Sequence, residues 1–182
     1  MVTTRRKAEL MLPFEIRALR ECRGGFTSSA IWWRITTLFG ELGSWWWGGR
    51  HQGLDVGVPE GTPLVCPFRE GGEIFRAGTD GSSGGLGNFV AIKGGFGGIV
   101  LYAHLKYRTP WWKALYTWLP GTRKVAFGQF VGASGNTGFS TGPHVHIQCT
   151  LGSEFGDLWG RAVDPIPYLT WISSPQRLKF GG

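Results

Sequence analysis

This 182-residue chain contains two histidines separated by one residue, His144 and His146. Their residue type and spacing make them candidates for a metal or catalytic site. In a β-strand, side chains repeat with a period of two, so both imidazoles would project from the same face. Far upstream, His51 lies four residues before Asp55. Zn²⁺ accepts imidazole nitrogen and carboxylate oxygen, and a hydrolytic zinc site takes three protein ligands and leaves a fourth position for water. His51, Asp55 and one of the paired histidines supply that number, so the sequence predicts a site for one zinc ion.

The elements that must position these residues read as short strands. From Ile35 onward the chain contains β-prone runs bounded by Gly, Pro, Asn or Asp, and many of its 31 glycines fall in pairs between those runs. The runs cover residues 35–39, 54–58, 63–66, 72–77, 88–93, 99–103, 130–133 and 145–150. Short runs with turn residues between them are typical of antiparallel sheets with hairpins. The sequence therefore predicts a mainly β, small antiparallel fold.

One hairpin is predicted over residues 88–104, with a glycine-rich turn between its two strands. It would leave His104 at the end of a strand. A histidine in that place is often a satisfied structural residue. Beside a zinc site, it becomes a candidate for proton transfer or charge stabilisation.

The length suits one domain, predicted over residues 31–170. Residues 1–30 show a weak amphipathic pattern interrupted by Pro13, which predicts a short helical extension, and residues 171–182 form a tail. Residues 107–120 are a dense aromatic insertion. Its rings could cover the core of the domain or another chain, or they could form a substrate wall or docking surface. Trp45-Trp46-Trp47 poses the same question.

The net charge of +7 predicts attraction to polyanions such as nucleic acid, an anionic membrane or an anionic cell wall. No nucleic-acid-binding motif accompanies the dispersed basic residues, which argues against a nucleic-acid partner. No run of about eighteen apolar residues could form a transmembrane segment, and no standard export signal is recognisable. The three cysteines, Cys22, Cys66 and Cys149, are far apart and are expected to be small buried residues rather than a disulfide framework.

Three motifs contain the candidate residues: His51-Gln-Gly-Leu-Asp55, Leu101-Tyr-Ala-His104-Leu105 and Gly142-Pro-His144-Val-His146. Supporting motifs are Gly87-Asn88, Gly128-Gln129, Gly135-Asn-Thr-Gly138, Ser140-Thr-Gly-Pro143 and Val163-Asp-Pro165. In this order and rough spacing they resemble the M23 peptidases, the LytM or lysostaphin-like zinc endopeptidases of peptidoglycan. The likeness runs from about Ile35 to Leu169.

The resemblance implies an antiparallel β fold with a groove and one zinc ion bound by His51, Asp55 and His146. It also implies that His104 and His144 are catalytic rather than metal-binding. We assign His144 as the general base. His104 would stabilise the tetrahedral intermediate or share in proton transfer.

The function predicted on this basis is a zinc-dependent endopeptidase that hydrolyses peptide bonds in the stems or cross-bridges of bacterial peptidoglycan. It would act at the cell wall, and the missing export signal favours a bacteriophage product, either tail-associated or a lysis enzyme. The alternative is a non-catalytic wall-binding or structural module that meets protein partners through its tryptophan-rich surface or its N-terminal extension. The complete set of ligands and both histidines favour the enzyme.

Overall fold

The computed structural model describes residues 34–81, 85–94, 98–106 and 124–165. The strands in these ranges are β1 (Arg34–Thr37), β2 (Leu54–Gly57), β3 (Pro63–Val65), β4 (Gly72–Asp80), β5 (Gly87–Gly94), β6 (Ile99–Ala103), β7 (Lys124–Val125), β8 (Phe130–Ala133), β9 (Val145–Thr150) and β10 (Ala162–Val163). A 3₁₀ turn (Trp47–Gly49) precedes β2, and a short helix, α1 (Asp157–Gly160), precedes β10. The predicted N-terminal helix, the aromatic insertion, the tail and Cys22 lie outside the described residues.

The strands form one large and one small antiparallel sheet. The large sheet has the order β1-β2-β9-β6-β5-β4-β7, with β10 also paired to β9, and the small sheet consists of β3 and β8. The prediction of a mainly β, antiparallel fold is confirmed, and each of the eight predicted runs overlaps a strand. The sequence did not predict β7 and β10, because two residues are too few to show a period. Within the described ranges no helix is long and apolar enough to cross a membrane.

The strands that carry the candidate residues lie side by side. The predicted hairpin is present as β5 and β6, and His104 directly follows the end of β6. β6 pairs with β9 so that Ala103 faces His146, and β2 pairs with β9 on its other edge so that Asp55 faces His146. Residues that are 91 positions apart are therefore direct neighbours in the sheet.

The main core lies between one face of the large sheet and the small sheet. Odd-numbered residues of β9, such as Ile147, pack with Tyr102 and Ile92 against Leu64 and Val131. Cys66 and Cys149 are also buried in this core as free thiols, as expected.

The opposite face of the large sheet carries the even-numbered residues of β9 and a second apolar cluster. This cluster includes Leu101 of β6 and Leu158 of α1, with Phe155 and Trp159 packed against it. Because side chains alternate along a strand, His146, Gln148 and Thr150 share this face. The segment that contains α1 therefore covers the sheet beside the histidines.

Candidate metal centre

Three residues from β2, β9 and the segment before β2 bring their donor atoms together. His146 Nδ1 lies 2.8 Å from Asp55 Oδ1, His51 Nε2 lies 3.2 Å from the same oxygen, and the two histidine nitrogens are 3.1 Å apart. His51 and His146 are buried, and Asp55 is nearly so. This is the group of donors in the described part of the chain that could hold a metal ion.

The donor set fits zinc in both chemistry and size. Zinc takes imidazole nitrogen and carboxylate oxygen at about 2.0–2.2 Å in tetrahedral geometry, which places neighbouring ligand atoms roughly 3.3–3.6 Å apart. The three donors, at 2.8 to 3.2 Å from one another, would need to separate by about 0.1–0.8 Å, less than an ångström for every pair. The residues present therefore fit this ion.

The hydrogen bonds of His51 leave the correct nitrogen free for a metal. His51 Nδ1 lies 3.0 Å from the carbonyl oxygen of Leu38. A carbonyl oxygen only accepts, so Nδ1 must carry the proton and donate it, and Nε2 keeps its lone pair. The backbone before β2 thus orients this imidazole as a ligand.

Asp55 is held in its ionised form. Burial by itself would raise the pKa of this carboxyl group, but the adjoining imidazoles of His146 and His51, through their contacts and their positive charge when protonated, lower the pKa well below its ordinary value. The carboxylate is therefore available as an anionic donor at any pH at which the imidazoles can also bind a metal.

The two remaining histidines stand beside the donors on the same groove. His144 Nε2 lies 3.8 Å from Asp55 Oδ1, and the rings of His104 and His144 are 4.6 Å apart between centroids. His144 Nδ1 lies 2.8 Å from the carbonyl oxygen of Gly142 and 3.1 Å from Ser140 Oγ. Because the carbonyl only accepts, Nδ1 of His144 carries its proton and Nε2 faces the donors with a lone pair.

His104 is neutral near pH 7. Burial lowers its pKa to about 4, and the neighbouring His146 and His144 add to this effect. Its Nδ1 donates to the carbonyl oxygen of Thr137 at 2.7 Å, which leaves a lone pair on Nε2. The environment thus keeps this imidazole in a form that can accept a proton.

His104 also has a strained backbone, with φ at +59°, and among the described non-glycine residues it is the one with positive φ. Such conformations persist where the surroundings fix them, and they concentrate at functional sites. Here the fixing contact is Thr137, whose hydroxyl donates to the carbonyl of Leu105 and accepts from the amide of Asn88. Thr137 therefore holds His104 from two sides.

Two of the supporting glycine motifs explain how Thr137 reaches this place. A Cβ on Gly138 would lie 2.3 Å from the amide nitrogen of Gly87, and a Cβ on Gly87 would lie 2.4 Å from the carbonyl carbon of Thr137. The two loops therefore pack backbone to backbone. Thr137 was not predicted as a functional residue; its position between glycines, in a motif near the histidines, was the available signal.

Aromatic rings form the walls of the groove. Trp45, Trp46 and Phe139 are among the residues that line it. Trp45 is 59% exposed and Phe139 is 48% exposed, while the ring of Trp46 lies 5.1 Å from that of His51. Of the two alternatives for the tryptophan cluster, Trp45 and Trp46 therefore line the groove rather than fill the core.

The antiparallel sheet thus carries two histidines and an aspartate as metal donors, with further histidines on the same groove, an arrangement suited to metal-assisted hydrolysis. Residues 49–165, more than half of the chain, match the profile of peptidase family M23. The chain belongs to this family. Its members are zinc metallopeptidases, and Zn²⁺ is the cofactor that the donor set accommodates.

Known relatives agree with this assignment. The chain is 33% identical over 144 residues to the DD-carboxypeptidase/endopeptidase Mpg of Neisseria meningitidis, covering 76% of this chain and 29% of Mpg. It resembles the catalytic domain of the antimicrobial peptidase lysostaphin from Staphylococcus simulans, with 30% identity and a TM-score of 0.59. That likeness covers 76% of this chain and 92% of the lysostaphin domain. It also resembles a variant of the catalytic domain of the prophage-encoded M23 protein EnpA from Enterococcus faecalis, with 27% identity and a TM-score of 0.55. That likeness covers 78% of this chain and 95% of the EnpA chain. The chain spans less than a third of the length of the Mpg relatives.

Proposed function

We propose that this metallopeptidase is an endopeptidase of bacterial peptidoglycan, with zinc held by His51, Asp55 and His146. The observation that carries the proposal is the shared groove, in which three metal donors adjoin two imidazoles with free lone pairs. The names of Mpg, a DD-carboxypeptidase/endopeptidase, and lysostaphin, an antimicrobial peptidase, support a substrate in the wall. The net charge of +7 suits an anionic wall polymer.

In this mechanism zinc, when bound, supplies the Lewis acidity that polarises the scissile carbonyl and makes water nucleophilic near neutral pH. His144 is the general base, because its Nε2 lone pair faces the donors from 3.8 Å. It takes the proton from water and later returns it to the leaving amine.

Of the two roles open to His104, the hydrogen bonds favour proton transfer. Its Nδ1 proton is committed to Thr137, so a neutral His104 offers a lone pair at Nε2 and has no proton there to donate to an oxyanion. Stabilisation of the oxyanion would follow only after His104 has gained a proton from its neighbours. Its low pKa makes that proton readily released.

The test is release of new amino groups from purified peptidoglycan by the full chain. Release should stop when a chelator is added and return with zinc. His144→Ala should bind zinc as the unaltered protein does and release no amino groups, whereas Asp55→Asn should lose zinc and activity together. Binding to the wall without cleavage, with zinc present, would overturn the proposal in favour of a wall-binding module.

The groove does not by its chemistry distinguish a glycine bridge from a stem peptide, because both bonds are cut by the same zinc chemistry. We propose that the aromatic walls formed by Trp45, Trp46 and Phe139 select between them by shape. Mass spectrometry of fragments released from walls of the two chemotypes identifies the bond. Equal cleavage of both, unchanged by Trp45→Ala, would contradict selection by these walls.

We further propose that the enzyme is phage-encoded, as a tail-associated or lysis protein, and its similarity to the prophage-encoded EnpA supports this. The chain should then be found by mass spectrometry in purified virions or in lysates after prophage induction. Its presence only in uninfected cells would argue against this origin.

For the domain organisation, we propose a peptidase domain over residues 31–170, flanked by the extension 1–30 and the tail 171–182. The family match over residues 49–165 lies within these limits. Limited proteolysis should leave a fragment close to residues 31–170, and a stable fragment with other ends would contradict them.

A further inference from the structure

Gln148 is a polar residue inside the sheet that neither lines the groove nor belongs to the metal donors. Its side chain is only 1% exposed and shares a face of β9 with His146. Gln148 Oε1 lies 3.2 Å from His146 Nε2, and Gln148 Nε2 donates to the carbonyl oxygen of Leu158 in α1. A buried amide is costly unless its polar atoms are paired, and here both are.

The partners of Gln148 determine which way its amide points. The carbonyl oxygen of Leu158 can only accept, so the amide nitrogen must face it and the amide oxygen must face His146. That oxygen also only accepts, so it requires a proton on Nε2 of His146. Nδ1 faces the carboxylate of Asp55, which likewise only accepts, so Nε2 carries the proton when Nδ1 serves as a metal donor. The lone pair of His146 is then on Nδ1, the nitrogen that lies 2.8 Å from Asp55 Oδ1 and 3.1 Å from His51 Nε2.

We propose that Gln148 is a positioning residue that fixes the tautomer and ring orientation of His146 and thereby sets the zinc affinity of the centre. The inference rests on the proposed role of His146 as a zinc ligand. Hydrogen bonds from the second nitrogen of a ligating histidine orient the ring and raise its basicity, and their loss typically weakens metal binding about 10- to 100-fold. Through Leu158, the same amide ties the ligand to the segment that covers the sheet.

The decisive variant is Gln148→Met, which preserves length and apolar packing and removes both hydrogen bonds. We expect its dissociation constant for Zn²⁺ alone, measured by competition with a chromophoric chelator, to rise by about 10- to 100-fold. In histidine-¹⁵N spectra, the unaltered protein should show His146 protonated at Nε2. The Met variant should show a mixture of the two tautomers.

Gln148→Glu is the conservative rescue. A glutamate keeps an oxygen toward His146, so zinc affinity and the Nε2–H tautomer should be close to those of the unaltered protein. The contact with the carbonyl of Leu158 requires a proton on the second oxygen, so this variant should be less stable without losing zinc.

Thr150→Val is the matched control, since Thr150 is buried on the same face two residues further along β9. Its hydroxyl donates to the carbonyl of Arg161 and accepts from the amide of Gly152, so it anchors the same covering segment without touching His146. The isosteric valine should lower stability and leave zinc affinity unchanged.

The outcomes separate this inference from the proposed zinc site. If the unaltered protein and His51→Ala bind zinc equally, the proposed site is wrong and the inference fails with it. If the unaltered protein binds zinc through His51, and Gln148→Met binds as tightly with Nε2–H retained, only the inference is overturned. Equal weakening in Gln148→Met and Thr150→Val would also overturn it. If Gln148→Met does not fold, Gln148→Glu provides the test: a folded Gln148→Glu protein that has lost zinc affinity would also overturn the inference.

Discussion

The glycine between His51 and Asp55 provides a sharp test of how the metal centre is packed. A Cβ on Gly53 would lie 2.5 Å from the carbonyl oxygen of Ile147 and 2.6 Å from Cε1 of His146, whereas real Cβ atoms come no closer than 3.0 Å. In Gly53→Ala the carbonyl oxygen must therefore move by about 0.5 Å and Cε1 of His146 by about 0.4 Å, the differences between 2.5 or 2.6 Å and 3.0 Å. Overpacking of this kind costs about 1–3 kcal/mol.

The carbonyl of Ile147 belongs to the β2–β9 ladder, where Leu54 faces Ile147, so the His146 ring is the softer neighbour. A displacement of the His146 ring by about 0.4 Å, from 2.6 to 3.0 Å, exceeds the tolerance of about 0.2 Å for the position of a metal ligand. If the strain falls on the ring, about 1–3 kcal/mol appears as roughly 5- to 150-fold weaker zinc binding. If the ladder gives way instead, the same energy is lost from the free energy of unfolding.

Both quantities can be measured on Gly53→Ala, by chelator competition for zinc and by denaturant unfolding of the metal-free protein. Gly81→Ala is the matched control, because a Cβ at Gly81 meets nothing within 4 Å and its φ is not in the left-handed region. A Gly53→Ala protein with unaltered zinc affinity and unaltered unfolding free energy would refute the packing argument.

Three further predictions concern protons, thiols and a buried hydroxyl. Folding lowers the pKa of His104 from 6.5 to about 4. The contribution of the neutral His104 to the free energy of unfolding is therefore fully present above pH 6.5. It is lost as the pH falls toward 4, by about 3 kcal/mol in metal-free protein; a His104→Gln protein that shows the same pH dependence of unfolding contradicts this. Because burial raises the pKa of Cys66 and Cys149, neither thiol should react with Ellman's reagent in folded Cys22→Ser, and both should react once it is unfolded. The fully buried hydroxyl of Ser134 pairs with two backbone groups, so Ser134→Ala should cost about 1–3 kcal/mol in denaturant unfolding without changing zinc affinity.

Short β-prone runs bounded by turn residues carried most of the fold prediction. Runs such as residues 88–93 and 99–103 are apolar, short and bounded by turn residues, and both became strands of one hairpin. The neighbours in the sheet could not be read in the same way. That β6 lies beside β9 depends on contacts between residues far apart in sequence, such as Ala103 and His146, and local periodicity contains no information about such pairs.

The supporting contacts of the site were harder to predict than its histidines. Histidine and aspartate can be recognised as candidate metal donors from their residue type alone, whereas Gln148 is an ordinary amide in an apolar strand. Its signal was positional: it has the same parity as His144 and His146, and a polar residue in a buried strand needs a partner. The positive φ of His104 had no comparable signal, because it arises from the packing of two loops against each other.

The two paired histidines present opposite ring nitrogens to one point, and the register of the sheet explains the difference. His146 stands directly opposite Asp55 in the β2–β9 ladder, so its nearer nitrogen, Nδ1, already reaches the carboxylate at 2.8 Å. His144 lies two residues away, about 7 Å along an extended chain. Only its outer nitrogen, Nε2, comes within 3.8 Å of the same oxygen.

On each ring the nitrogen that faces away from the donors carries the proton: His146 donates to the amide oxygen of Gln148, and His144 donates to the carbonyl oxygen of Gly142. The shared face therefore yields two different groups: His146 lies among the metal donors, and His144, the proposed base, lies just outside them, 3.8 Å from Asp55 Oδ1. A shift of β9 by one residue would turn both rings to the other face of the sheet. The β2–β9 register, more than the spacing of the histidines, is thus what separates the proposed ligand from the proposed base.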